Sequence, residues 1–368
     1  MDRNSTRWVA LLFFAAPVFF NASQVVVGES APSIAAGGIV PRGQPCIAIA
    51  SEVVRISDRR VSVDYDFRND GGADVTVDLV FPIPPYKNEW DAMDPLAQSF
   101  RSFVLSVNDQ PVIFQTEATA ELNGSDVTKT LQSHHIDIST FGHLEIGRDQ
   151  HYMVRRVAVP DFSQLSKKDQ HRLQSEGIFE RENGFSKYTV KLEYHWRQTF
   201  PAHATVHIRQ EFAPVVGFTQ VPALADALQA ALLPASSQTS AMLEPAAVES
   251  VKLLNGFCAN TASLRSMLRA QEVFAQSSEA VLPQWVDFAL TSSRAWNEPI
   301  EDFTLIVEVP QPAQDQQTLV SFCSPGVMQK PDANHIQVHL KNFTPATDLH
   351  VGFFNEPVNM PTEATATR

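Results

Sequence analysis

The residues with the clearest potential for chemistry are three histidines and two acidic residues between positions 134 and 145. They follow a short stretch of helical periodicity, where the chain enters a loop, and they are His134, His135, Asp137, His143 and Glu145. Imidazole and carboxylate groups are common ligands of divalent metals in proteins. The cluster therefore predicts a divalent-metal site, used either for binding alone or for metal-assisted hydrolysis. The competing interpretation is a polar, solvated loop that holds no metal.

Two further histidine pairs have a four-residue spacing but fall on predicted strands. They are His203 with His207, and His335 with His339. Four strand residues span about 13 Å, whereas zinc needs its nitrogen ligands at about 2 Å. Neither pair is therefore expected to share one metal ion.

Motifs for other kinds of catalysis are missing from the sequence. There is no G-x-S-x-G elbow, and the Gly37-Gly38 and Gly71-Gly72 pairs lack the lysine of a phosphate-binding loop. A non-catalytic protein is therefore favoured over an enzyme. Its candidate partner-binding residues are Trp196, Trp285 and Trp296, which lie at strand ends or in connections, where an indole either plugs the core or lines a groove.

Composition and charge restrict the class of partner. The 368 residues are 44% hydrophobic and 19% charged, as expected for a globular protein. The formal net charge of −13 argues against nucleic acid, because binding of phosphates needs a basic face. The expected partner is instead a protein or a glycan, and the oligomeric state stays open.

The beginning of the chain predicts export. Arg3 and Arg7 precede an apolar run from Trp8 to Phe20, which suits a secretory signal peptide over residues 1–23 and is short for a membrane span. We expect a periplasmic or secreted protein with no membrane span after cleavage. In an oxidising compartment, its three cysteines allow one disulfide and leave one thiol over.

The stretch from Arg60 to Pro85 has the most regular strand pattern in the chain. Apolar residues alternate with polar ones on both sides of Asn69-Asp70-Gly71-Gly72, a sequence that suits a tight turn, so the stretch predicts a β-hairpin. Pro82, Pro84 and Pro85 are expected to end its second strand.

Similar strand patterns occur on both sides of a helical middle. We predict an N-terminal β-rich domain over residues 31–215, a helical and low-complexity insertion over 216–283, a C-terminal β region over 284–355 and a disordered tail over 356–368. Short helices are predicted after Ser125, from Lys167 to Glu176 after Ser166, over 222–234 and around Leu264. The fold class is mainly β, with antiparallel, sandwich-like sheets. The C-terminal region either completes the N-terminal sandwich or forms a second one.

Several stretches in this order resemble one family, the exported bacterial domain-of-unknown-function family number 4424. They are Ala36–Val40, Val63–Asn69, Phe81–Pro84, Asn123–Thr128, Tyr194–Pro201, Leu290–Phe303, Val320–Cys323 and Asn342–Pro345. The resemblance implies export and a disulfide between Cys258 and Cys323. It implies no activity and no catalytic residues.

The sequence thus predicts an exported, non-catalytic β-sandwich protein of the bacterial envelope that binds a protein or a glycan. The alternative is a divalent-metal-binding protein or metal-assisted hydrolase that uses the loop from His134 to His143.

Overall fold

The computed structural model describes residues 30–31, 35–87, 103–136, 138, 144–149, 152–157, 162, 165–182, 184, 186–219, 228–229, 231–232, 254–276, 284–296, 298–311 and 316–357. The predicted signal peptide and residues 358–368 of the predicted tail lie outside these ranges. So does most of the helix predicted over 222–234.

Strands make up most of the described chain, which confirms the predicted mainly β fold class. The first eleven are β1 (Ser30–Ala31), β2 (Ala36–Gly37), β3 (Val40–Pro41), β4 (Ala48–Ile56), β5 (Val61–Asn69), β6 (Val75–Lys87), β7 (Val104–Val107), β8 (Gln110–Pro111), β9 (Gln115–Leu122), β10 (Ser125–Asp126) and β11 (Leu144–Asp149). The others are β12 (Tyr152–Val157), β13 (Thr189–Phe200), β14 (Ala204–Phe212), β15 (Val216–Thr219), β16 (Gln284–Ala289), β17 (Ile300–Glu308), β18 (Gln316–Ser321), β19 (Gln329–Asp332), β20 (His335–Phe343) and β21 (Leu349–Pro357).

Among the described residues, helical elements are fewer than strands. They are α1 (Thr128–Ser133), α2 (Lys167–Ser175), α3 (Thr261–Gln276) and a 3₁₀ helix (Leu290–Trp296). The predicted cap of α2 is present, because Ser166 Oγ accepts a hydrogen bond from the Asp169 amide. The predicted cap of α1 is wrong, because Ser125 belongs to β10. The Asp126 carboxylate instead accepts a hydrogen bond from the Thr128 amide at 2.8 Å. Among the described residues, no helix has both the length and the apolar composition needed to cross a bilayer.

Two facing sheets form the main body of the protein. An eight-stranded sheet has the order β19-β20-β17-β4-β5-β14-β7-β8, and a five-stranded sheet has the order β10-β9-β13-β6-β3. Their inner faces meet through ring contacts such as Phe67–Phe200 and Phe81–Phe212, with ring centroids 5.7 and 5.1 Å apart. Further strands form a six-stranded sheet, β1-β15-β16-β21-β18 with β2 on β16, and the β11-β12 pair.

The predicted hairpin between β5 and β6 is wrong. β5 pairs with β4 and β14, whereas β6 pairs with β13 and β3, so the two strands belong to opposite sheets. Asn69 organises the crossing: its side-chain amide donates to the Ala73 and Phe200 carbonyls, both at 2.9 Å, and its Oδ1 accepts from the Gly71 amide. Both strands still direct their apolar residues into one core. Alternation alone therefore does not distinguish a hairpin from an arch, in which two consecutive strands join opposite sheets.

The prolines after Phe81 do not end β6, contrary to the prediction. The strand continues to Lys87 and pairs with β13 on both sides of a register irregularity, in which Pro84 and Pro85 fall between the Ile83–Leu192 and Tyr86–Val190 pairs. On its other side β6 pairs with β3, which reaches only Leu79 and Val80. Prolines are tolerated beyond that point because a strand that is paired on one side has positions where no backbone donor is required.

The N-terminal and C-terminal strand regions share one sheet. β17 pairs with β4 in parallel, which places β17 and its antiparallel neighbour β20 beside strands from the first part of the chain. Buried side chains from both regions form one continuous core. A smaller cluster packs α3 against the six-stranded sheet. Beside it, Cys258 and Cys323 form the disulfide that the family resemblance implies, with their Cα atoms 4.9 Å apart, while Cys46 is free and exposed.

Candidate functional site

The predicted metal loop lies only partly within the described residues. The structure places His134 at the end of α1, where its Nδ1 lies 2.9 Å from the Thr130 carbonyl and its Nε2 lies 3.5 Å from the Asp169 carboxylate. His135 is exposed, Glu145 belongs to β11, and the remaining two predicted ligands, Asp137 and His143, lie outside the described ranges. Within those ranges, no three histidine, cysteine or acidic side chains converge as a metal site. The metal site therefore stays a prediction.

All three candidate tryptophans are core residues. Trp296 is 1% exposed and donates its indole N–H to the Ile39 carbonyl at 2.8 Å. Trp285 is 6% exposed and lies so close to Gly217 that a Cβ atom there would come within 2.1 Å of the indole ring. Both indoles fill space between packed elements.

The third, Trp196, lines a surface cleft of about 400 Å³ on the five-stranded sheet. The cleft lies at the point where β9 begins and the end of β13 is left uncovered. Its lining residues are Arg42, Asp78, Val112, Ile113, Gln115, His195, Trp196 and Arg197. Trp196 is 5% exposed, and its indole N–H has no hydrogen-bond partner among the described residues. Ile113 is 95% exposed at the rim, so the cleft combines an apolar edge with several polar groups, as ligand sites commonly do.

Two arginines give the cleft its cationic groups, and they differ in how firmly they are held. The Arg42 guanidinium lies 2.9 Å from the Glu193 carboxylate and 3.2 Å from that of Glu117, and these hydrogen bonds raise its pKa. The Arg197 side chain is 79% exposed and lies 3.4 Å from the Asp78 carboxylate, which is itself 58% exposed. An exposed pair of this kind contributes little to stability. Arg197 is therefore the cation that is available to a ligand.

A second polar group, centred on Glu52, lies inside the core and was not predicted from the sequence. Glu52 is fully buried, and burial raises the pKa of its carboxyl to about 8, against the opposing effect of a hydrogen bond from Ser293. Ser293 Oγ lies 3.1 Å from both the Glu52 carboxyl and the Leu290 carbonyl. A hydroxyl carries one proton, so it satisfies both contacts best when a protonated Glu52 donates to Ser293 and Ser293 donates to Leu290.

Two glycines, Gly37 at the end of β2 and Gly38 after it, make room for the polar group around Glu52. A Cβ atom on Gly37 would lie 2.5 Å from the Ala289 carbonyl oxygen, and one on Gly38 would lie 2.5 Å from the Tyr65 hydroxyl. The amide of Gly38 donates to Ser292 at 2.8 Å. The contacts tie the N-terminal segment to the 3₁₀ helix, and their role is structural because the group is closed off from solvent.

Taken together, these features define a mainly β protein of several sheets, with a polar group in its core and a surface cleft where β9 begins. The chain belongs to the DUF4424 family, a domain of unknown function, whose model matches residues 28–351. The comparison with curated proteins finds no match. Among solved structures, the chain is similar to a "putative nutrient binding protein" from Legionella pneumophila, with 15% identity over 89% of this chain and 72% of the other. The TM-score is 0.42, and a likeness at this level carries no functional argument.

Proposed function

We propose that this chain is a non-catalytic binding protein of the bacterial envelope, exported to the periplasm or beyond, that engages a protein or glycan through the cleft beside Trp196. The observation that carries this proposal is the cleft itself, where an exposed isoleucine, a buried indole and an available arginine come together. The basic and apolar pattern at the start of the sequence supports export.

Retention of envelope components on the purified protein tests the binding role. Immobilised wild-type chain is compared with an Ile113→Ser variant after incubation with envelope extract and with an array of envelope glycans. The expected result is a partner or glycan that wild type retains and the variant loses, because the substitution removes the apolar rim of the cleft. Val327→Ser is the matched control, since Val327 is 82% exposed but does not line the cleft.

Two results would count against the proposal. One is that wild type retains nothing from either source, and the other is that the Ile113 variant retains the same material as wild type. Export is tested separately, by locating the full-length chain in periplasmic, medium and cytoplasmic fractions. A processed protein that stays in the cytoplasm would refute the envelope location.

A further inference from the structure

The cleft lies beside an open strand edge. On one side, β13 pairs with β6 from Thr189 to Phe200, but on its other side β9 covers it only from Thr189 to His195. Within the described part of the chain, the last five residues of β13, Trp196–Phe200, are therefore paired on one side only. The unpaired edge of a strand offers backbone donors and acceptors to an incoming strand.

At this edge, an existing hydrogen bond from a side chain can be replaced by one from an incoming strand. The Thr199 carbonyl accepts a hydrogen bond from Nε2 of Gln198 at 2.7 Å. This donor is a surface side chain that a backbone amide of an incoming peptide can replace. The Thr199 hydroxyl is bonded to Thr76 on β6 at 2.9 Å, so the β6 side of the strand would stay in place.

Two arginines against one carboxylate, that of Asp78, line the cleft, although the chain as a whole is acidic with a formal net charge of −13. Arg42 is held by two carboxylates, whereas Arg197 lines the cleft, belongs to the open edge and has one exposed partner, Asp78. A carboxylate of a ligand can compete with Asp78, because exposed ion pairs are weak.

The geometry points to an extended acidic segment of a partner protein as the ligand of this cleft, an inference that rests on the proposed function. The segment adds to β13 along Trp196–Phe200, places a carboxylate on Arg197 and lays an apolar side chain against Ile113. Five strand residues span about 17 Å, so a short linear segment fills the edge. A glycan fits the polar lining of the cleft but does not use the strand edge.

Selection of linear peptides on the purified full-length chain tests this inference. The probe is a displayed library of random peptides of about eight residues, and selected peptides are then labelled and titrated by fluorescence polarisation. We expect enrichment of sequences that alternate apolar residues with Asp or Glu. Their affinity is expected to fall with added salt, because the contact with Arg197 is exposed to solvent.

Two substitutions in the cleft should change the affinity in opposite directions. Arg197→Glu is expected to weaken binding of the selected acidic peptide about tenfold, by replacing attraction with repulsion. Asp78→Asn is expected to tighten binding about two- to fivefold, because it releases Arg197 from its own partner. A tighter complex cannot arise from misfolding, so this variant keeps the test decisive.

Arg172→Glu serves as the matched control. Arg172 is also exposed and paired with a carboxylate, that of Glu176 at 2.9 Å, but it lies on α2 and does not line the cleft. Peptide affinity should be unchanged in this variant.

Several results would overturn the inference. These are selection of basic or unpatterned peptides, weaker binding in the Asp78 variant, or retention of a glycan or folded protein with no linear peptide selected. The last result would leave the proposed binding function intact, whereas a chain that retains no ligand of any kind would end both.

Discussion

Replacing Glu52 by glutamine is expected to stabilise the protein at neutral pH, although the residue is fully buried in the core. The folded protein holds this carboxyl with a pKa of about 8, whereas its ordinary value is 4.5. Between those values, folding must take up a proton that the unfolded chain has released. The contribution of Glu52 to stability is therefore fullest below pH 4.5 and is lost as the pH rises towards 8.

The size of the effect follows from the difference between the pH and the ordinary pKa. Each unit corresponds to about 1.4 kcal/mol, so proton uptake by Glu52 costs about 3 kcal/mol at pH 7. Glutamine is neutral at every pH, has nearly the same shape, and can donate a hydrogen bond to Ser293 as the protonated acid does. Relative to wild type, the variant should gain almost nothing near pH 4.5 and up to about 3 kcal/mol at pH 7, and the gain should level off at about 5 kcal/mol above about pH 8.

Urea denaturation of both proteins at a series of pH values measures this difference directly. Glu301→Gln is the matched control: Glu301 is a surface residue whose pKa is lowered by its hydrogen bond with Arg68, so its loss should bring no gain at neutral pH. A difference between wild type and E52Q that does not change with pH would refute the reasoning. So would a variant that is several kcal/mol less stable at pH 7, because that result would mean the folded protein holds Glu52 ionised.

Three further predictions concern packing, the disulfide and metal. Gly38→Ala should lower the free energy of unfolding by about 1–3 kcal/mol, because its Cβ atom would meet the Tyr65 hydroxyl; an unchanged urea midpoint would contradict this. Replacing Cys258 and Cys323 together by serine should cost about 4 kcal/mol, and a loss below about 1 kcal/mol would show that the disulfide adds little. Protein purified without chelator or affinity tag should carry no stoichiometric zinc, copper or manganese by elemental analysis. Bound metal that is lost in His134→Ala would instead favour the metal-dependent alternative.

Local patterns predicted the individual strands better than their pairing. The alternation in β5 and β6 and the turn-forming residues between them were all present, yet the strands lie in opposite sheets. What separates an arch from a hairpin here is the buried Asn69 side chain, which bonds to Phe200, 131 residues away along the chain. A contact of that range leaves no periodic signal in the sequence. The start and end of α2 were predictable because the cap of Ser166 and the positive φ of Gly177 are local.

The buried polar group did leave a signal in the sequence. Glu52 is spaced two and four residues from Val54 and Ile56, and Gln210 is spaced likewise from Ile208 and Phe212, so both polar residues fall on inward positions. An ionisable or amide side chain at an inward position of a strand is costly unless it is neutral and hydrogen-bonded. The alternation of inward and outward positions therefore identifies these residues as candidates for a perturbed pKa or for core hydrogen bonds. Their partners, which include Ser293 and the Gly37 carbonyl, depend on the tertiary fold.

The segment Tyr194–Pro201 shows how structural and binding roles divide along one strand. Tyr194, Trp196 and Phe200 point inward, and the core accounts for their apolar character. His195 and Arg197 point outward into the cleft, and Arg197 gains little stability from its exposed pair with Asp78. Substitutions at the inward positions should therefore change stability and binding together. Substitutions at the outward positions should change binding alone, and an Arg197 variant with unaltered affinity for every retained ligand would place the binding surface elsewhere.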